Sequence, residues 1–393
     1  MILVRKGTKN TIGIFQYDWE LQIHTINLVN LLSVDCNNKV YLYLYNSTSD
    51  IVDLKVDLNN KVEVIQVKTI PIVDFAYRVF RKITGYKISI FQVILPGIAI
   101  KAFFASCFFR FTHLIGIEKR GLGWANFYKR SKKQKLVYYS LELYVESDHA
   151  HCIGNNTFAR KMEIKLAAII DLLIIQSAKR LQVFNSYNGV SVKQSLLLPV
   201  AVKADQISIN KYFLHDLLHV EHNKKIILYF GLLRDGRFIE EIVGECNKIS
   251  NEYLIVFHGS KQDDYTIPIL PSNGIWSKTI IASSEINKIV SSAHIGLAFY
   301  HSKDVNHKLT AFSSEKIARY CVCGIPFIAF GNEDYEMLKD QFDCCVLITD
   351  MSELPQAIDK IEKNYAYFQQ NALAAATIFD FNAHNNSILS FFN

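Results

Sequence analysis

Residues 227–238 read Ile-Leu-Tyr-Phe-Gly-Leu-Leu-Arg-Asp-Gly-Arg-Phe. The apolar run at the start of this stretch ends at Gly231, and after a short loop the periodicity of residues 238–247 predicts a helix. Glycine lets a ligand approach the backbone closely, and the start of a helix attracts anions. Arg234 and Arg237 are cations where the helix dipole favours an anion. The stretch therefore predicts a phosphate site, with two solvated loop arginines as the alternative.

A second helix start of this kind is predicted within residues 312–329. Ser313 or Ser314 is the expected N-cap, and Lys316 then falls in the first turn, where the dipole again disfavours a cation. Gly324 is the expected end of the helix. Two such helix starts in one domain predict a grip on a diphosphate from two directions.

Outside these stretches, apolar strand candidates alternate with helix candidates along the chain, among them helices at residues 73–83 and 158–170 and a strand at residues 276–281. This alternation predicts an α/β protein with parallel sheets flanked by helices, whose ligands bind at the carboxyl ends of the strands. A length of 393 residues suggests two domains. The best linker candidate is residues 199–211, so the expected domains are residues 1–203 and 204–375, followed by a last helix in residues 376–393.

The composition is that of a packed globular protein, with 50% hydrophobic and 20% charged residues. A net charge of +6 suits anionic small ligands or an anionic membrane surface and is too low for a dedicated nucleic-acid binder. No apolar run of signal-peptide or membrane-spanning length is evident, so we expect a cytoplasmic protein. The 8 cysteines lack zinc-site spacing, so we expect reduced cysteines and no metal.

The C-terminal half resembles the nucleotide-sugar domain of GT-B glycosyltransferases, a fold of two Rossmann-like doubly wound domains facing across a cleft. The resemblance is to the large retaining group (family 4-like, glycosyltransferase group 1) that builds bacterial polysaccharides. Four elements carry it in the same order and spacing. They are Gly231 with Arg234 and Arg237; a strand ending at Gly259; the strand Ala-His-Ile-Gly-Leu at 293–297; and a helix with Ser313, Ser314, Lys316, Tyr320 and a Gly-x-Pro end at 324–326.

The resemblance implies transfer of a sugar from a nucleotide-diphosphate sugar to a saccharide or lipid-linked acceptor in cell-surface polysaccharide synthesis. It implies no metal and no cofactor beyond the donor, and a last helix that crosses back to the acceptor-binding first domain. The donor-binding residues that it implies are Gly231, Arg234, Arg237, Gly259, Ser313, Ser314, Lys316 and Tyr320.

The chain departs from the family pattern at two positions. Arg319 stands where the family often has an acidic residue, five positions before the glycine, and Ala311 stands where it often has a glutamate near the donor sugar. Glu315 is close to that position but out of register. The stereochemistry of transfer therefore stays open, as do two alternatives: a nucleotide-sugar 2-epimerase on the same fold, and a catalytically impaired partner protein.

In the N-terminal half, residues 135–144 resemble a strand-to-loop segment of some family members. Glu142 follows the strand, and we expect it to be an acid/base group or a hydrogen-bond acceptor for the substrate, with a surface carboxylate as the alternative. Asp18 and Glu20, after the first strand, are expected on the acceptor side.

Two groups of cations flank an apolar, aromatic stretch at residues 91–111. Basic residues beside exposed aromatic ones are typical of proteins that rest on anionic lipid. We therefore consider peripheral contact with the inner membrane face, with a solvated loop and a buried helix as the alternative. The first group is Arg78, Arg81, Lys82 and Lys87, and the second is Lys129, Arg130, Lys132, Lys133 and Lys135.

Overall fold

The structure is a computed structural model that describes residues 10–17, 23–45, 58–67, 110–143, 145, 155–204, 208–279, 281, 285–301 and 305–392. The chain forms two compact units. The first is Met1–Leu198 with Asn385–Asn393, and the second is Pro199–His384. Each unit contains one sheet whose described strands are all parallel, with seven strands in the first and six in the second.

The strand order in the first sheet is β3-β2-β1-β4-β5-β6-β7 and in the second β10-β9-β8-β11-β12-β13. The first sheet consists of β1 (Asn10–Gln16), β2 (Asn38–Tyr45), β3 (Glu63–Val67), β4 (His113–Ile117), β5 (Lys135–Tyr139), β6 (Leu172–Ile175) and β7 (Ser195–Leu197). The second consists of β8 (Lys225–Phe230), β9 (Tyr253–His258), β10 (Gly274–Ser277), β11 (Ile295–Ala298), β12 (Phe327–Phe330) and β13 (Cys345–Ile348).

The described helices connect these strands, and short 3-10 turns lie at Cys246–Lys248, Met351–Glu353 and Phe381–His384. The first unit contains α1 (Ile23–Val34), α2 (Glu118–Tyr128), α3 (Asn155–Ala167) and α4 (Ala178–Asn188). The second contains α5 (Phe213–Leu218), α6 (Ile239–Glu245), α7 (Ile286–Ser291), α8 (Val305–Lys308), α9 (Glu315–Val322), α10 (Glu333–Phe342), α11 (Leu354–Lys363) and α12 (Tyr365–Phe379). The last helix, α13 (Asn385–Phe392), groups with the first unit.

The central strands of both sheets are apolar and almost completely buried, which is why they read as continuous hydrophobic runs and not as alternating ones. The alternation of strands and helices that the sequence predicted is confirmed. The helix predicted at residues 73–83 lies outside the described residues. The segment predicted from residue 376 onward is divided, because α12 runs to Phe379 in the second unit before α13 joins the first.

Helix α2 lies unusually close to the first sheet because glycines face the contact. A Cβ on Gly121 would lie 2.3 Å from Phe15 O, and one on Gly116 would lie 2.3 Å from Leu122 Cα. The Phe15 ring packs 4.8 Å from that of Tyr128 on the same helix. These contacts hold α2 along its length against β1 and β4.

Candidate functional site

Two glycines meet at the carboxyl edge of the second sheet, where β8 and β9 end. Gly231 has a φ of 122° and Gly259 a φ of 141°, both in the region that L side chains seldom adopt. Gly231 N donates to His258 O at 2.9 Å. A Cβ on Gly259 would lie 2.2 Å from Gly231 O. The turns that follow β8 and β9 therefore contact each other at the two predicted glycines. The backbone conformation of both glycines disfavours a side chain.

Lys316, in the first turn of α9, lies directly over the turn at Gly231. A Cβ on Gly231 would be 3.1 Å from Lys316 Cε. The lysine is only 8% exposed. Its Nζ lies 3.9 Å from the ring centre of Tyr229 and 5.2 Å from that of Tyr300. The ammonium is thus held between two aromatic rings at the end of β8.

The environment of Lys316 disfavours its charge. Burial, and after it the nearby charge of Arg237, holds the pKa of the Lys316 ammonium well below its usual value. Within the described part of the chain, no carboxylate forms an ion pair with Lys316. A buried cation of this kind costs free energy unless an anion compensates it. Lys316 is therefore a buried lysine whose charge the described surroundings leave uncompensated.

Arg237 adds a second cation beside the first. It lies in the loop before α6, with Cζ 4.8 Å from the ring centre of Tyr300. Its Nη1 is buried and has no hydrogen-bond partner among the residues that the structure describes. Arg234 is in the same loop, and both arginines exert a positive field that opposes the rise in the pKa of Tyr229 caused by burial. The structure thus brings the predicted cations together around two tyrosines.

The two predicted serines, Ser313 and Ser314, have different hydrogen-bond partners. Ser314 occupies the N-cap position of α9, but its side chain makes no capping bond, and its Oγ instead lies 2.6 Å from Tyr300 Oη. Ser313 Oγ donates to Leu309 O at 2.7 Å. The predicted N-cap position is therefore confirmed for Ser314, although its side chain makes no capping bond. Ser314 serves to hold the Tyr300 ring, against which Arg237 stacks.

Tyr320 lies inside the core and supports the site from beneath. Its hydroxyl lies 2.8 Å from Leu228 O and 3.2 Å from Leu297 O, and it donates to these carbonyls of β8 and β11. The ring fills the space over Gly296, where a Cβ would be 2.6 Å from it. Tyr320 is fully buried. In this position it anchors α9, which carries Lys316, to the sheet.

The residues that depart from the family pattern pair with each other or with the scaffold. Arg319 Nε donates to Glu315 Oε1 at 2.7 Å, and its Nη1 donates to Asn287 Oδ1 at 2.5 Å. Ala311 N donates to Asp334 Oδ2 at 2.8 Å. Arg319 is therefore a neutralised, buried part of the helix packing and not a third free cation.

In the first unit, Glu142 is exposed just beyond the carboxyl end of β5. Its backbone N donates to Glu118 Oε1 at 2.8 Å. Asp18 and Glu20 lie outside the described residues. Within the described residues, no group of three potential metal ligands is found.

The second basic group lies at the opposite edge of this sheet, because it precedes β5. Lys129 and Lys135 lie 3.5 Å and 3.8 Å from the Asp171 carboxylate, while Arg130, Lys132 and Lys133 are exposed. The first basic group and most of the apolar stretch between the two groups lie outside the described residues. None of the described helices has the length and apolar character needed to cross a bilayer.

No protein-family model and no curated protein sequence matches the chain. Solved structures match it over nearly its whole length. HepE of Anabaena, in complex with UDP-glucose, is 12% identical with a TM-score of 0.71, over 98% of this chain and 99% of that chain. The chain has the GT-B fold. Sucrose-phosphate synthase of Thermosynechococcus elongatus is 13% identical with a TM-score of 0.71, over 98% of each chain.

A third GT-B structure is that of WaaG, a glycosyltransferase involved in lipopolysaccharide biosynthesis. It is 11% identical with a TM-score of 0.61, over 97% of this chain and 98% of that chain. The predicted GT-B fold and the resemblance to glycosyltransferases of this kind are therefore confirmed at the level of fold.

Sequence reasoning missed Tyr229 and Tyr300, which shape the cation site. Both look like core residues in an apolar strand, and their rings do pack inside the unit. The available signal was their position, because each lies at or just beyond the carboxyl-terminal part of a central strand.

Proposed function

We propose that the chain is a glycosyltransferase that moves a sugar from a nucleotide-diphosphate sugar to a saccharide or lipid-linked acceptor in cell-surface polysaccharide synthesis. The observation that carries the proposal is the Lys316 ammonium. It is buried over the Gly231 turn, next to Arg237, and has no ion-pair partner among the described carboxylates. A diphosphate has the charge that would compensate these two cations.

The chemistry follows from where charge develops. As the bond from the anomeric carbon to the diphosphate oxygen breaks, the leaving nucleoside diphosphate gains negative charge. Lys316 and Arg237 are positioned to stabilise that charge, and the missing side chain at Gly231, where only the end of Lys316 is near, lets a phosphate approach the backbone. The acceptor hydroxyl attacks the anomeric carbon, and its proton passes to a base, for which Glu142 is our candidate.

We also propose that the two cations perform the role that a divalent metal has in other transferases, and that no cofactor is needed beyond the donor. Chelating agents should then leave turnover unchanged. Among nucleotides, UDP is the first to test, because HepE was solved with UDP-glucose, with UDP and glucose, and with UDP.

Glu142 is our candidate for the group that interacts with the acceptor hydroxyl, as a base or as a hydrogen-bond acceptor. Its exposure at the carboxyl end of β5 supports this role, because ligands of such sheets bind at this edge.

For location, we propose the cytoplasmic face of the plasma membrane, with exposed Arg130, Lys132 and Lys133 in contact with anionic lipid. Sedimentation with vesicles of phosphatidylglycerol, but not of phosphatidylcholine, would support this contact. A triple substitution of these residues by Gln should abolish it, and equal binding by wild type and variant would contradict it.

The direct test is product analysis with UDP-hexoses, with and without a panel of saccharide acceptors. A transferase releases UDP and forms a larger saccharide only when an acceptor is present. Conversion of the donor sugar to its 2-epimer without an acceptor would instead favour the epimerase. Absence of both turnover and nucleotide binding would overturn the proposal.

A further inference from the structure

The turn between β4 and α2 has an unusual conformation for its sequence. Residues 116–121 read Gly-Ile-Glu-Lys-Arg-Gly, and Gly116 and Gly121 allow close packing of the helix on the sheet. Between them Glu118 has a φ of 59°. The spacing is that of a G-x-G-x-x-G turn, in which the middle position is a glycine so that the backbone can approach a phosphate. Here a glutamate takes that position, and strain of this kind often marks a functional position.

The Glu118 carboxyl binds the segment that follows β5. It is 8% exposed, and its Oε1 accepts hydrogen bonds from Leu141 N at 2.7 Å and from Glu142 N at 2.8 Å. One carboxyl oxygen therefore holds two successive backbone amides. The carboxyl thus fixes the backbone at the residue that carries the exposed Glu142 side chain.

Buried polar side chains hold the rest of the same segment. Gln176 Nε2, just after β6, donates to Ser140 O at 2.7 Å, and Arg180 Nη2, on α4, donates to Leu141 O at 2.6 Å. Ser140 Oγ donates to Glu142 O at 3.2 Å. Residues 140–142 are therefore held from three sides, by groups on three different elements.

We propose that Glu118 is a positioning residue for Glu142. Its carboxyl fixes the backbone of residues 141 and 142 and thereby sets the direction in which the Glu142 side chain leaves the sheet. This role in turnover rests on the proposed function, whereas the hold on the backbone does not.

The charge state of Glu118 fits this role. Burial, and next the charge of Glu142, raises the pKa of Glu118 to about 8, against the lowering effect of the two amides. Glu118 is thus mostly neutral at pH 7, and Oε1 accepts both bonds without a second anion beside Glu142. Its Oε2 is buried without a hydrogen-bond partner in the described structure. Among the described residues, the other titratable or charged groups around it are Glu142, Glu163, Tyr138, Lys119 and Arg180.

Amide hydrogen exchange tests the hold on the backbone without any assay of activity. In Glu118→Ala, exchange at residues 141 and 142 should become at least about tenfold faster, while the interior of α2 keeps its protection. Glu118→Gln keeps an acceptor oxygen and should keep the protection. Unchanged exchange at both amides in Glu118→Ala would overturn the proposal.

Kinetics test the consequence for turnover. Glu118→Ala should lower kcat at least about tenfold, because a misplaced group loses much of its effect, while KM for the donor changes little. Glu118→Gln should recover most of kcat and should lose any alkaline fall in rate near pH 8. In a Glu142→Gln background, Glu118→Ala should cause almost no further loss.

Additive losses in the double variant would show that Glu118 does not act through Glu142, and would overturn the positioning role. Failure of the proposed function looks different. The wild-type chain would then bind no nucleotide and transfer no sugar, while the effect of Glu118→Ala on the exchange of residues 141 and 142 persisted.

Discussion

At the scale of single residues, the proposed donor site depends on a lysine whose burial is costly without a ligand. Lys316 has aromatic rings where a carboxylate would ordinarily be, and an arginine raises the cost further. The rest of the fold must offset the free energy that is needed to bury this ammonium. An anion that binds beside Lys316 would explain why the lysine is there.

Lys316→Met should separate function from stability. It removes the charge and keeps the length of the side chain, so turnover should fall about 10²–10³-fold, as for loss of a group that stabilises developing charge. The ligand-free protein should be as stable or more stable, because the substitution removes a buried cation that has no ion pair with any described residue. Turnover and thermal unfolding of the same preparation check both, and unchanged turnover would contradict the role.

The glycine turn offers a matched pair of substitutions. Gly259→Ala should destabilise the protein by at least about 2 kcal/mol, because a left-handed conformation and a clash with Gly231 O combine. Gly244, on α6, has open space for a methyl group, with nothing within 4 Å of the position that a Cβ would take. Gly244→Ala should therefore stabilise by about 0.5–1 kcal/mol. Urea unfolding measures both, and equal effects would refute the close approach.

The residues predicted from sequence were those with a local signal. Gly231, Gly259 and Lys316 stand beside strand or helix ends, where backbone geometry and the helix dipole limit the choice of residue. Tyr229 and Tyr300 have no such signal, because an aromatic residue in an apolar strand is usually core. Their role follows only from the distances to the two cations.

At the scale of elements, α9 connects the core to the site. Its buried face anchors it through Tyr320 to β8 and β11, while its first turn presents Lys316. The strength of this anchor decides how firmly the ammonium is held over the Gly231 turn.

Tyr320→Phe distinguishes an anchor from a ligand contact. Loss of the hydroxyl should destabilise the protein by about 1 kcal/mol, since buried carbonyls lose a donor. Nucleotide affinity should change less than about twofold, because Tyr320 is fully buried. Urea unfolding and calorimetric titration measure the two effects, and a large loss of affinity with unchanged stability would favour direct contact.

The hydrophobic periodicity of the sequence predicted whether a segment is a helix or a strand, but it did not predict the residues at which the segment begins and ends. The helix predicted at residues 158–170 is observed at Asn155–Ala167, because Ile169 and Ile170 belong to the turn before β6. The strand predicted at residues 276–281 is observed at Gly274–Ser277. This edge strand is only half-buried, so its hydrophobic pattern gives a weak boundary.

At the scale of the whole molecule, the second unit has its candidate ligand site and its main charge cluster at opposite edges of one sheet. At the amino edge, Glu362 lies 2.6 Å from Lys225 Nζ and 2.7 Å from His294 Nε2, and it accepts a bond from Tyr253 Oη at 3.1 Å. Burial raises the pKa of Glu362, but these partners lower it more, so that the pKa is about 2.

Acid unfolding should reflect this cluster. Because the folded pKa of Glu362 is below its ordinary value, its contribution to stability is present above about pH 4.5 and is lost as the pH falls towards about 2. Glu362→Gln should be less stable than wild type at pH 7 and should show a shallower loss between these values. Urea unfolding across this range checks the slope, and parallel curves would contradict it.

The division into two parallel α/β units follows from the sequence because each buried strand is a short apolar run separated by a helix. The family-level resemblance in the second unit indicated the candidate donor site, because its motifs lie in one stretch of chain. The proposed acceptor side has no such compact motif. Glu118 and Glu142 are far apart in sequence, and only the pairing of β4 with β5 brings them together.

We propose above all that the second unit binds a nucleoside diphosphate through Lys316. Calorimetric titration of UDP into the full chain tests it most directly, with Lys308→Met as the control because Lys308 is an exposed lysine on the neighbouring α8. We expect saturable binding by wild type and by the control, and about tenfold to hundredfold weaker binding by Lys316→Met, as for a lost charge-assisted contact. Equal affinity of Lys316→Met and wild type for UDP would contradict the claim.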